Sequence, residues 1–518
     1  MEKRLVGTTE AYNFIKDKMK KEWKVAFLSA VILGLLIHMP MMLRDIPNHD
    51  GLDSMHFDQN MIVSGRWFLS IACGISSYYT LPWLIGLLAL VYLGLTSILL
   101  IDFLEVKETL AIVLISGLLV SFPALASTFA YVFTMDGYML AVFLAVLSVW
   151  LTKKRRLGFG PGAVSLALSL AIYQAYLPFA VILSIYGILM IAMEKGDIRE
   201  KCWNTLHYLY MGLLGSIGYY VVLQIMLKVQ KTEIGSYQEG SNLGVLGGQS
   251  IVQCIKKIYV DFFAFTFRGN VLMNNLFSTI SMILLVVVAG ITLIRLIAYM
   301  KWWKSPWFYV IGLLLVAGVP IATNIMLLVL PGVTYHLLMR YQWILFPIVM
   351  IAFVSRYNKG LFGDTRREWG LLLASAVLIW NFVVTDHIAY SNLQKKYEKT
   401  YSYCVRLLDR IEQTEGYYQG IPIAMIGVVG DEVYPVTDIT EKITAPLIGM
   451  SGDYLLYTGN NYELFLEHYI GASLNILPPD SMEEMYYSPL YREMESFPGK
   501  DSIRIMDGIM YIKTENQE

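Results

Sequence analysis

The sequence predicts an all-α polytopic membrane protein of about 11 transmembrane helices, followed by a small C-terminal α/β domain. Three observations predict this class. The mean hydropathy of the 518-residue chain is +0.53. Only 16% of its residues are charged, whereas about a quarter of a soluble domain is charged. Apolar runs of roughly 18 or more residues, long enough to cross a bilayer, recur along the chain.

Each apolar run defines one predicted span of a transmembrane domain that covers residues 25–389. In chain order the spans are about 25–43, 82–103, 108–127, 138–152, 162–175, 177–193, 206–227, 276–298, 307–330, 341–354 and 369–389. Pro178 separates the fifth span from the sixth, because proline cannot donate the backbone hydrogen bond of a helix. This pair is therefore either two spans or one broken helix with a re-entrant piece.

Lys and Arg residues indicate the orientation of the chain. They concentrate in residues 1–24, in KKRR at 153–156 and in the alternate connections that follow, and cytoplasmic loops carry such an excess. We therefore expect residues 1–24 to be a cytoplasmic N-terminal segment. The parts expected outside the cytoplasm are residues 44–81, 128–137, 228–275, 331–340 and 390–518.

The tail, residues 390–518, is predicted to form a separate extracytoplasmic α/β domain. Its first part, NLQKKYEKTYSYCVRLLDRIEQTEG, has apolar residues at helical spacing and ends at Gly416, a typical helix stop. IPIAMIGVV predicts a buried strand. DSIRIMDGIMYIKTE predicts a hairpin that turns at Asp507 and Gly508.

Several function classes have no support in the sequence. The four cysteines lie far apart without CxxC spacing, so we expect neither a disulfide framework nor a structural metal. There is no P-loop or Rossmann fingerprint, so no nucleotide donor is expected. We also expect no nucleic-acid partner and no cofactor.

The first predicted outer loop, RDIPNHDGLDSMHFDQNMIVSGRWF, gathers carboxylates at the membrane edge. Asp45, Asp50 and Asp53 are candidates for a general base, and His49 is a candidate to hydrogen-bond the base or a sugar. The stretch 58–83 is semi-apolar with aromatic residues at both ends, which predicts an interfacial helix that holds the acidic loop at the bilayer surface. The alternative is a solvated acidic loop with no catalytic role.

Further polar residues lie near the predicted outer ends of spans. The substrate-binding candidates among them are Arg66, Asp136, Tyr173, Gln174, His336 and Arg340. The arginines suit a bidentate grip on phosphate, whereas tyrosine and glutamine suit sugar rings and hydroxyls. Structural alternatives exist for these residues: a helix start for Asp136, interfacial placement for Tyr173 and snorkelling for the arginines.

Together these residues predict one reaction class, the transfer of a sugar from a lipid phosphate. A carboxylate can accept the proton of an acceptor hydroxyl, an arginine can hold the leaving phosphate, and apolar spans can hold a long lipid tail. Because arginine can neutralise the phosphate, we expect no required metal.

PNHDGLDS and VSGRWFLSIACGI resemble the first outer loop of the bacterial Gtr-type (GtrII-like) glucosyltransferases, which decorate O-antigens and related surface polysaccharides. SFPALASTFAYVFTMDGYMLAVFLAVLSVWL and AVSLALSLAIYQAYLPFAVILSIY resemble later segments of that family, and the resemblance covers roughly residues 25–390. It implies a GT-C architecture in the bacterial cytoplasmic membrane. It also implies undecaprenyl phosphate-glucose as donor, a surface polysaccharide as acceptor and an inverting single displacement.

The resemblance implies roles for particular residues. Asp50 matches the loop acid of the family, Arg66 matches the arginine of its Gly-Arg-Trp element, and Asp136 matches a later acidic position. Tyr173 and Gln174 match its Tyr-Gln pair. The family usually has adjacent acids or Asn-Asp, whereas this chain reads Asn-His-Asp, so the base is Asp50, Asp53 or Asp45, in that order of preference.

Two other function classes remain open from the sequence. A transporter or lipid flippase would carry charged or broken helices at mid-membrane, and a non-catalytic scaffold of polysaccharide assembly would explain the outer domain. The glycine-rich loop 228–275 contains an amphipathic stretch, which predicts either a lid over substrate or a fixed interfacial helix.

Overall fold

The computed structural model describes most of the chain, and the account below concerns those residues only. They are residues 19–194, 196–235, 250–268, 275–304, 306–329, 333, 335–357, 365–426, 456, 459–486 and 488–514. Helices dominate this part of the chain, and a single small sheet lies near the C-terminus.

The α-helices are numbered here in chain order. They are α1 (Lys21–Met42), α2 (His49–Asp53), α3 (Leu69–Gly74), α4 (Pro82–Leu104), α5 (Thr109–Ser121), α6 (Pro123–Phe129), α7 (Met135–Lys154), α8 (Phe159–Ile172), α9 (Leu177–Met193), α10 (Ile198–Gln230), α11 (Ile251–Arg268), α12 (Leu276–Met300), α13 (Pro306–Thr323), α14 (Ile325–Val329), α15 (Leu345–Tyr357), α16 (Thr365–Glu412), α17 (Gly459–Phe465), α18 (Glu483–Tyr486) and α19 (Pro489–Glu493).

The helices confirm a multi-pass membrane protein. Among the described residues, 8 helices are long and apolar enough to cross a membrane, or up to 9 when the pair α5 and α6, bent by 45°, counts as one span. The helices α8 and α13 are apolar but shorter. Each of the 11 predicted spans coincides with one of these helices or with the bent pair, so the predicted fold class is confirmed.

Central helices differ from peripheral ones in how much of their apolar surface the protein covers. In the span Val132–Lys154, 72% of the most apolar stretch is buried, against 17% in the span Ile198–Gln230. Apolar residues that stay exposed on a long helix are suited to lipid contact. The helix α7 therefore lies in the core of the bundle, and α10 lies at its edge.

Glycines allow the first two long helices to pack closely. A Cβ at Gly86 would lie 2.6 Å from the Met42 side chain, and one at Gly94 would lie 2.7 Å from Phe27. Small residues at such contacts let membrane helices approach each other. This packing fixes α4 against α1, whose C-terminal end leads into the acidic loop.

The chain between α8 and α9 is unwound at Tyr173. This residue is extended, with φ −156° and ψ 110°, and a 3₁₀ turn over Gln174–Tyr176 follows. Pro178 sits in the first turn of α9, where its missing N–H costs no helical bond. The break therefore separates two helices and leaves non-helical backbone at Tyr173 and Gln174.

The predicted interfacial helix over residues 58–83 is not one helix. The structure has a 3₁₀ turn at Ile62–Ser64 and the short helix α3, separated by Gly65 in the left-handed region with φ +75°. Ser77 and Tyr78 also have positive φ values. Left-handed residues end a right-handed helix, so this segment folds as a series of tight turns.

The C-terminal sheet has four strands: β1 (Pro422–Ile426), β2 (Asn475–Ile476), β3 (Ile503–Met506) and β4 (Ile509–Lys513). Their order is β2-β1-β4-β3, with β1 parallel to both neighbours and β3 antiparallel to β4. Asp507 and Gly508 both have positive φ, as a two-residue hairpin turn requires. The hairpin therefore turns at the predicted residues. Residues 427–429 of the predicted strand lie outside the described part.

The helix α16 connects the membrane domain to the tail without a break. It has 48 residues, and the predicted domain boundary at residues 389 and 390 falls inside it. Its C-terminal part packs with the sheet and α17 in a second hydrophobic core, which contains Tyr403, Leu407 and Ile411. This arrangement places the tail domain directly beyond the membrane domain.

Candidate active site

A cavity of about 670 Å³ opens on the face of the membrane domain that carries the acidic loop. We call it the central cavity and call this side the cavity face. Six of the predicted site residues line it: Asp50, Asp53, Arg66, Tyr173, Gln174 and His336. Much of the remaining wall is apolar and includes Leu170, Leu177, Met326, Val329 and Leu338. The cavity thus joins charged groups to an apolar surface.

The acidic loop presents its carboxylates on the short helix α2. Asn48 caps this helix by accepting a hydrogen bond from the Gly51 amide at 2.7 Å, as N-cap residues do. Its Nδ2 also donates to the Ala130 carbonyl at 2.9 Å. Asp50 and Asp53 are three residues apart, a spacing that places two side chains on one helix face, and both line the cavity.

Two of the three candidate bases also contact the tail domain. Asp53 Oδ1 accepts a hydrogen bond from Asn460 Nδ2 at 2.9 Å, and Asp45 Oδ2 accepts one from the Tyr469 hydroxyl at 3.2 Å. Desolvation raises the pKa of Asp45, and the Tyr469 hydrogen bond opposes this rise. Asp45 is outside the cavity lining, so Asp50 and Asp53 are the two candidates that reach the cavity.

Arg66 is held by two tyrosines, by one through a hydrogen bond and by the other through its ring face. Its Nη1 donates to the Tyr138 hydroxyl at 3.1 Å, and its guanidinium lies 4.8 Å from the centre of the Tyr173 ring. The two rings stack with centroids 4.4 Å apart and an interplanar angle of 5°. Stacking on aromatic faces and hydrogen bonding together fix a guanidinium, so Arg66 is a pre-oriented cation in the cavity wall.

Gln174 ties the turn before Arg66 to the membrane helices. Its Nε2 donates to the Tyr219 hydroxyl at 2.9 Å and to the Ser64 carbonyl at 3.2 Å. The Tyr219 hydroxyl donates to the Gly65 carbonyl at 3.1 Å. Gly65 has φ +75°, and a Cβ there would lie 2.6 Å from the Tyr219 hydroxyl and 2.7 Å from Gln174 Nε2. Gln174 therefore fixes the position of Arg66 from the side of the helices.

His336 lies in the cavity lining next to the 3₁₀ segment Leu337–Ile344. It is the residue that precedes this segment, and its backbone carbonyl accepts a hydrogen bond from the Met339 amide at 3.1 Å. Its side chain is half-buried. This position brings an imidazole to the same cavity as Asp50 and Arg66.

Arg340 is placed outside the cavity lining and is paired with a carboxylate. Its Nη1 and Nη2 donate to the two oxygens of Asp261 at 2.7 Å and 2.8 Å. Its Nε donates to the Tyr335 carbonyl at 3.2 Å. Such a bidentate pair with a bonded Nε satisfies a guanidinium. The structure thus pairs Arg340 with a carboxylate on α11.

The helix α11 is the amphipathic stretch of the loop 228–275, and several bonds join it to the membrane domain. Besides the Asp261 pair, Thr266 Oγ1 accepts a hydrogen bond from Trp343 Nε1 at 3.1 Å, and the Tyr259 hydroxyl donates to the Ala317 carbonyl. No residue of α11 belongs to the described cavity lining. Residues 236–249 and 269–274 of this loop are outside the described part.

Asp136 also stands apart from the cavity lining. Asp136 is 1% exposed in the first turn of α7, and its Oδ1 accepts a hydrogen bond from the Gly137 amide at 2.8 Å. A Cβ at Gly137 would lie 2.9 Å from Cys73 Sγ, so α7 packs here against the back of α3. His49 begins α2, but its side chain is outside the described part.

Tyr138 and Tyr219 were missed at the sequence level. Tyr138 lies in the first turn of the apolar helix Met135–Lys154, and Tyr219 lies well inside the apolar helix Ile198–Gln230. A tyrosine near a helix end is typical of an interfacial anchor. The hydrogen bond of a tyrosine hydroxyl to a distant loop gives no signal in the sequence. Within the described residues, no group of three or more His, Cys, Asp or Glu side chains is arranged to hold a metal ion.

The fold and the cavity define a class of protein, a multi-pass membrane protein with a cavity that joins charged groups to an apolar wall. The protein-family model described as Glucosyl transferase GtrII matches residues 39–355 of the chain. This match covers more than half of the chain, so the protein belongs to the GtrII glucosyltransferase family and is a glycosyltransferase. No curated protein and no solved structure matches the chain.

The matched region contains all the described residues that line the central cavity, from Asp50 to Met339. The tail domain lies beyond it. The resemblance stated from the loop motifs is therefore confirmed at the level of the family, and the expectation of an enzyme is confirmed with it.

Proposed function

We propose that this protein transfers a sugar, glucose in the first instance, from a polyprenyl phosphate-sugar to a cell-surface polysaccharide. The donor proposed is undecaprenyl phosphate-glucose. The observation that carries the proposal is the composition of one cavity, in which Asp50 and Arg66 share a lining with a long apolar wall. Carboxylate, cation and apolar surface are the three parts that this transfer requires.

Asp50 is proposed as the general base of an inverting single displacement. The acceptor oxygen attacks the anomeric carbon while its proton passes to the carboxylate. The bond between the anomeric carbon and the phosphate oxygen breaks, and its electron pair stays on the leaving phosphate. Inversion needs a base on one side of the sugar and a leaving group on the other. Asp53, which also lines the cavity, is the second candidate, and Asp45, outside the lining, is the third.

Arg66 is proposed to hold the donor phosphate as negative charge develops on it. A fixed guanidinium stabilises a leaving phosphate because it need not reorganise during the reaction. The Tyr138 hydrogen bond and the stacked Tyr173 ring support this role by fixing the orientation of Arg66. Gln174 supports it by holding the preceding turn.

The apolar wall is proposed to hold the first isoprene units of the donor, and His336 and Tyr173 are proposed to contact the sugar. Leu177, Met326 and Val329 lie on this wall, and an isoprenoid chain gains free energy by leaving water for such a surface. We further propose that the cavity face is the outer face of the bacterial cytoplasmic membrane. The Lys and Arg residues of the opposite connections, such as 153–156, support this orientation.

A transfer assay with two isosteric variants tests the proposal. Purified protein in nanodiscs receives radiolabelled polyprenyl phosphate-glucose and a crude surface polysaccharide, with and without EDTA. We expect Asp50→Asn to lower the transfer rate by about 10²-fold or more, because the amide accepts no proton. We also expect wild-type transfer to persist in EDTA.

Asp58→Asn is the matched control. Asp58 is exposed on the same loop, and its Oδ1 accepts a hydrogen bond from the Asn60 amide at 3.0 Å. It is not in the cavity lining, so this variant should transfer at the wild-type rate. Undiminished transfer by Asp50→Asn would exclude Asp50 as the base, and folded wild type without any transfer would exclude the proposed donor or acceptor.

A further inference from the structure

The helix α2, which carries Asp50 and Asp53, lies between the membrane domain and the tail domain. On the membrane side, Asn48 Nδ2 donates to the Ala130 carbonyl. On the tail side, Leu52 is 1% exposed and belongs to the same hydrophobic core as Tyr403, Phe465 and Met510. A side chain from the loop thus completes the core of the other domain.

Two polar contacts flank this anchor. Asn460, on α17, donates to Asp53 on the C-terminal side of Leu52, and Tyr469 donates to Asp45 on its N-terminal side. The ring of Tyr469 is itself stacked on Phe465, with centroids 5.1 Å apart. The helix α17 packs directly against α2. The tail therefore contacts the loop on both sides of Asp50.

The length of α2 makes these contacts necessary for its position. The helix has 5 residues, and isolated helices shorter than about 12 residues are marginal in water because nucleation is costly. The N-cap of α2 and its contacts with the membrane domain and with the tail domain must then determine where Asp50 lies. The tail contributes its contact through Leu52.

We propose that the tail domain positions the catalytic loop, with Leu52 as the anchor and Asn460 as the positioning residue that acts through Asp53. This inference rests on the proposed function, because it assigns the tail a role in placing the base. The tail need not touch the reacting atoms for this role.

Local hydrogen exchange and kinetics together test the inference on the full-length protein. Leu52→Ala and Asn460→Ala should both speed amide exchange in residues 48–54. Both should lower kcat on the order of 10-fold or more, because small misplacements of a reacting group are costly, while donor binding stays near the wild-type value. Leu52→Met, which keeps the volume of the anchor, should restore both readouts.

Leu407→Ala is the matched control. Leu407 is a fully buried leucine on α16, and it lies in the same hydrophobic core as Leu52. The Leu407→Ala variant should lower the melting temperature, because it leaves a cavity in the core, but it should change exchange in residues 48–54 and kcat much less than Leu52→Ala does. Asn460 is exposed, so Asn460→Ala keeps the test valid if Leu52→Ala fails to fold.

Wild-type exchange in residues 48–54 of both variants would overturn the inference, and so would faster exchange with an unchanged kcat. If the wild type itself transfers no sugar, the proposed function is wrong, and the exchange readout alone still decides whether the tail holds the loop.

Discussion

Arg66 and Arg340 are the same residue type near the same membrane face, yet their surroundings differ. Arg66 lines the central cavity and rests on Tyr173 with a hydrogen bond to Tyr138. Arg340 lies outside that lining, with both Nη atoms on Asp261. Both residues were predicted to grip a phosphate. The difference teaches that long-range contacts, and not position in the sequence, separate an arginine in the cavity lining from one in an ion pair.

The partner of Arg340 also explains why its guanidinium stands apart from the cavity lining. A guanidinium that is already bonded to a carboxylate would have to lose that pair before it could bind a phosphate, at the cost of leaving a partly buried charge alone. The contacts of Arg66 with Tyr138 and Tyr173 instead fix its guanidinium in the cavity wall. We therefore propose an anionic ligand for Arg66 and a structural role, that of fixing α11, for Arg340.

The largest effect is expected from Arg66→Lys. Lysine keeps the charge but has neither the planar fork nor the ring stacking of arginine. We expect the transfer rate to fall by about 10²-fold, similar to the loss of one fixed donor to a developing oxyanion. Arg340→Lys is the matched control and should change the transfer rate much less. Equal losses in both variants would remove the distinction between the two arginines.

Gly65→Ala should have the next largest effect on transfer. The new Cβ would meet the Tyr219 hydroxyl at 2.6 Å and force a side chain into the left-handed region at φ +75°. The turn that carries Arg66 must then shift, which costs on the order of 1–3 kcal/mol and misplaces the guanidinium. The transfer rate and the melting temperature both measure this change.

Gly235→Ala is the control for that substitution. Its Cβ would meet the Val63 carbonyl at 3.8 Å, an ordinary contact beside the same turn. We expect its transfer rate and melting temperature to match the wild type. A Gly65→Ala variant that behaved in the same way would mean that the turn adapts without moving Arg66.

Arg340 and Asp261 should matter for stability more than for chemistry. Arg340→Ala leaves the Asp261 carboxylate, 27% exposed, without its cation. We expect a loss of about 1–3 kcal/mol for this partly buried pair. In a double-mutant cycle of thermal unfolding, Arg340→Ala and Asp261→Ala should together cost less than the sum of their separate losses. Strict additivity would show that the pair contributes no coupling energy.

Asp45→Asn should have the smallest effect, and that effect should depend on pH. Burial raises the pKa of Asp45 above its ordinary value of 3.8, so the folded state favours the neutral acid. The stability that this group contributes is present in full below its unfolded pKa and is lost as the pH rises through its folded pKa. The variant, always neutral, should match the wild type in acid and melt slightly higher at neutral pH. A lower melting temperature of the variant at neutral pH would contradict this sign.

Much of the fold was predictable because hydropathy and turn chemistry act locally. The apolar runs predicted the helices, and Asp507 and Gly508 predicted the hairpin turn, since both residues tolerate positive φ. The prediction of an interfacial helix over residues 58–83 was wrong, also for a local reason. Gly65 takes the left-handed conformation, and the apolar pattern around it gave no sign of that turn.

The residues of the candidate site were predictable only where a short sequence motif marks them. The acidic loop and the Gly-Arg-Trp element pointed to Asp50 and Arg66, which the structure brings into one cavity. The pair of Arg340 with Asp261 joins residues 79 positions apart, and the seat of Leu52 in the tail core depends on tertiary packing. Long-range partners of this kind have no periodicity for a single sequence to show.

The most direct test of the central claim is a binding measurement on the two arginines. Polyprenyl phosphate-glucose is titrated into nanodisc-embedded wild type, Arg66→Ala and Arg340→Ala, and the three dissociation constants are compared at one ionic strength. We predict that Arg66→Ala weakens donor binding by about 10-fold or more, because a charged hydrogen bond to phosphate is lost. Arg340→Ala should bind the donor as the wild type does. Normal binding by Arg66→Ala together with weak binding by a folded Arg340→Ala would contradict the account.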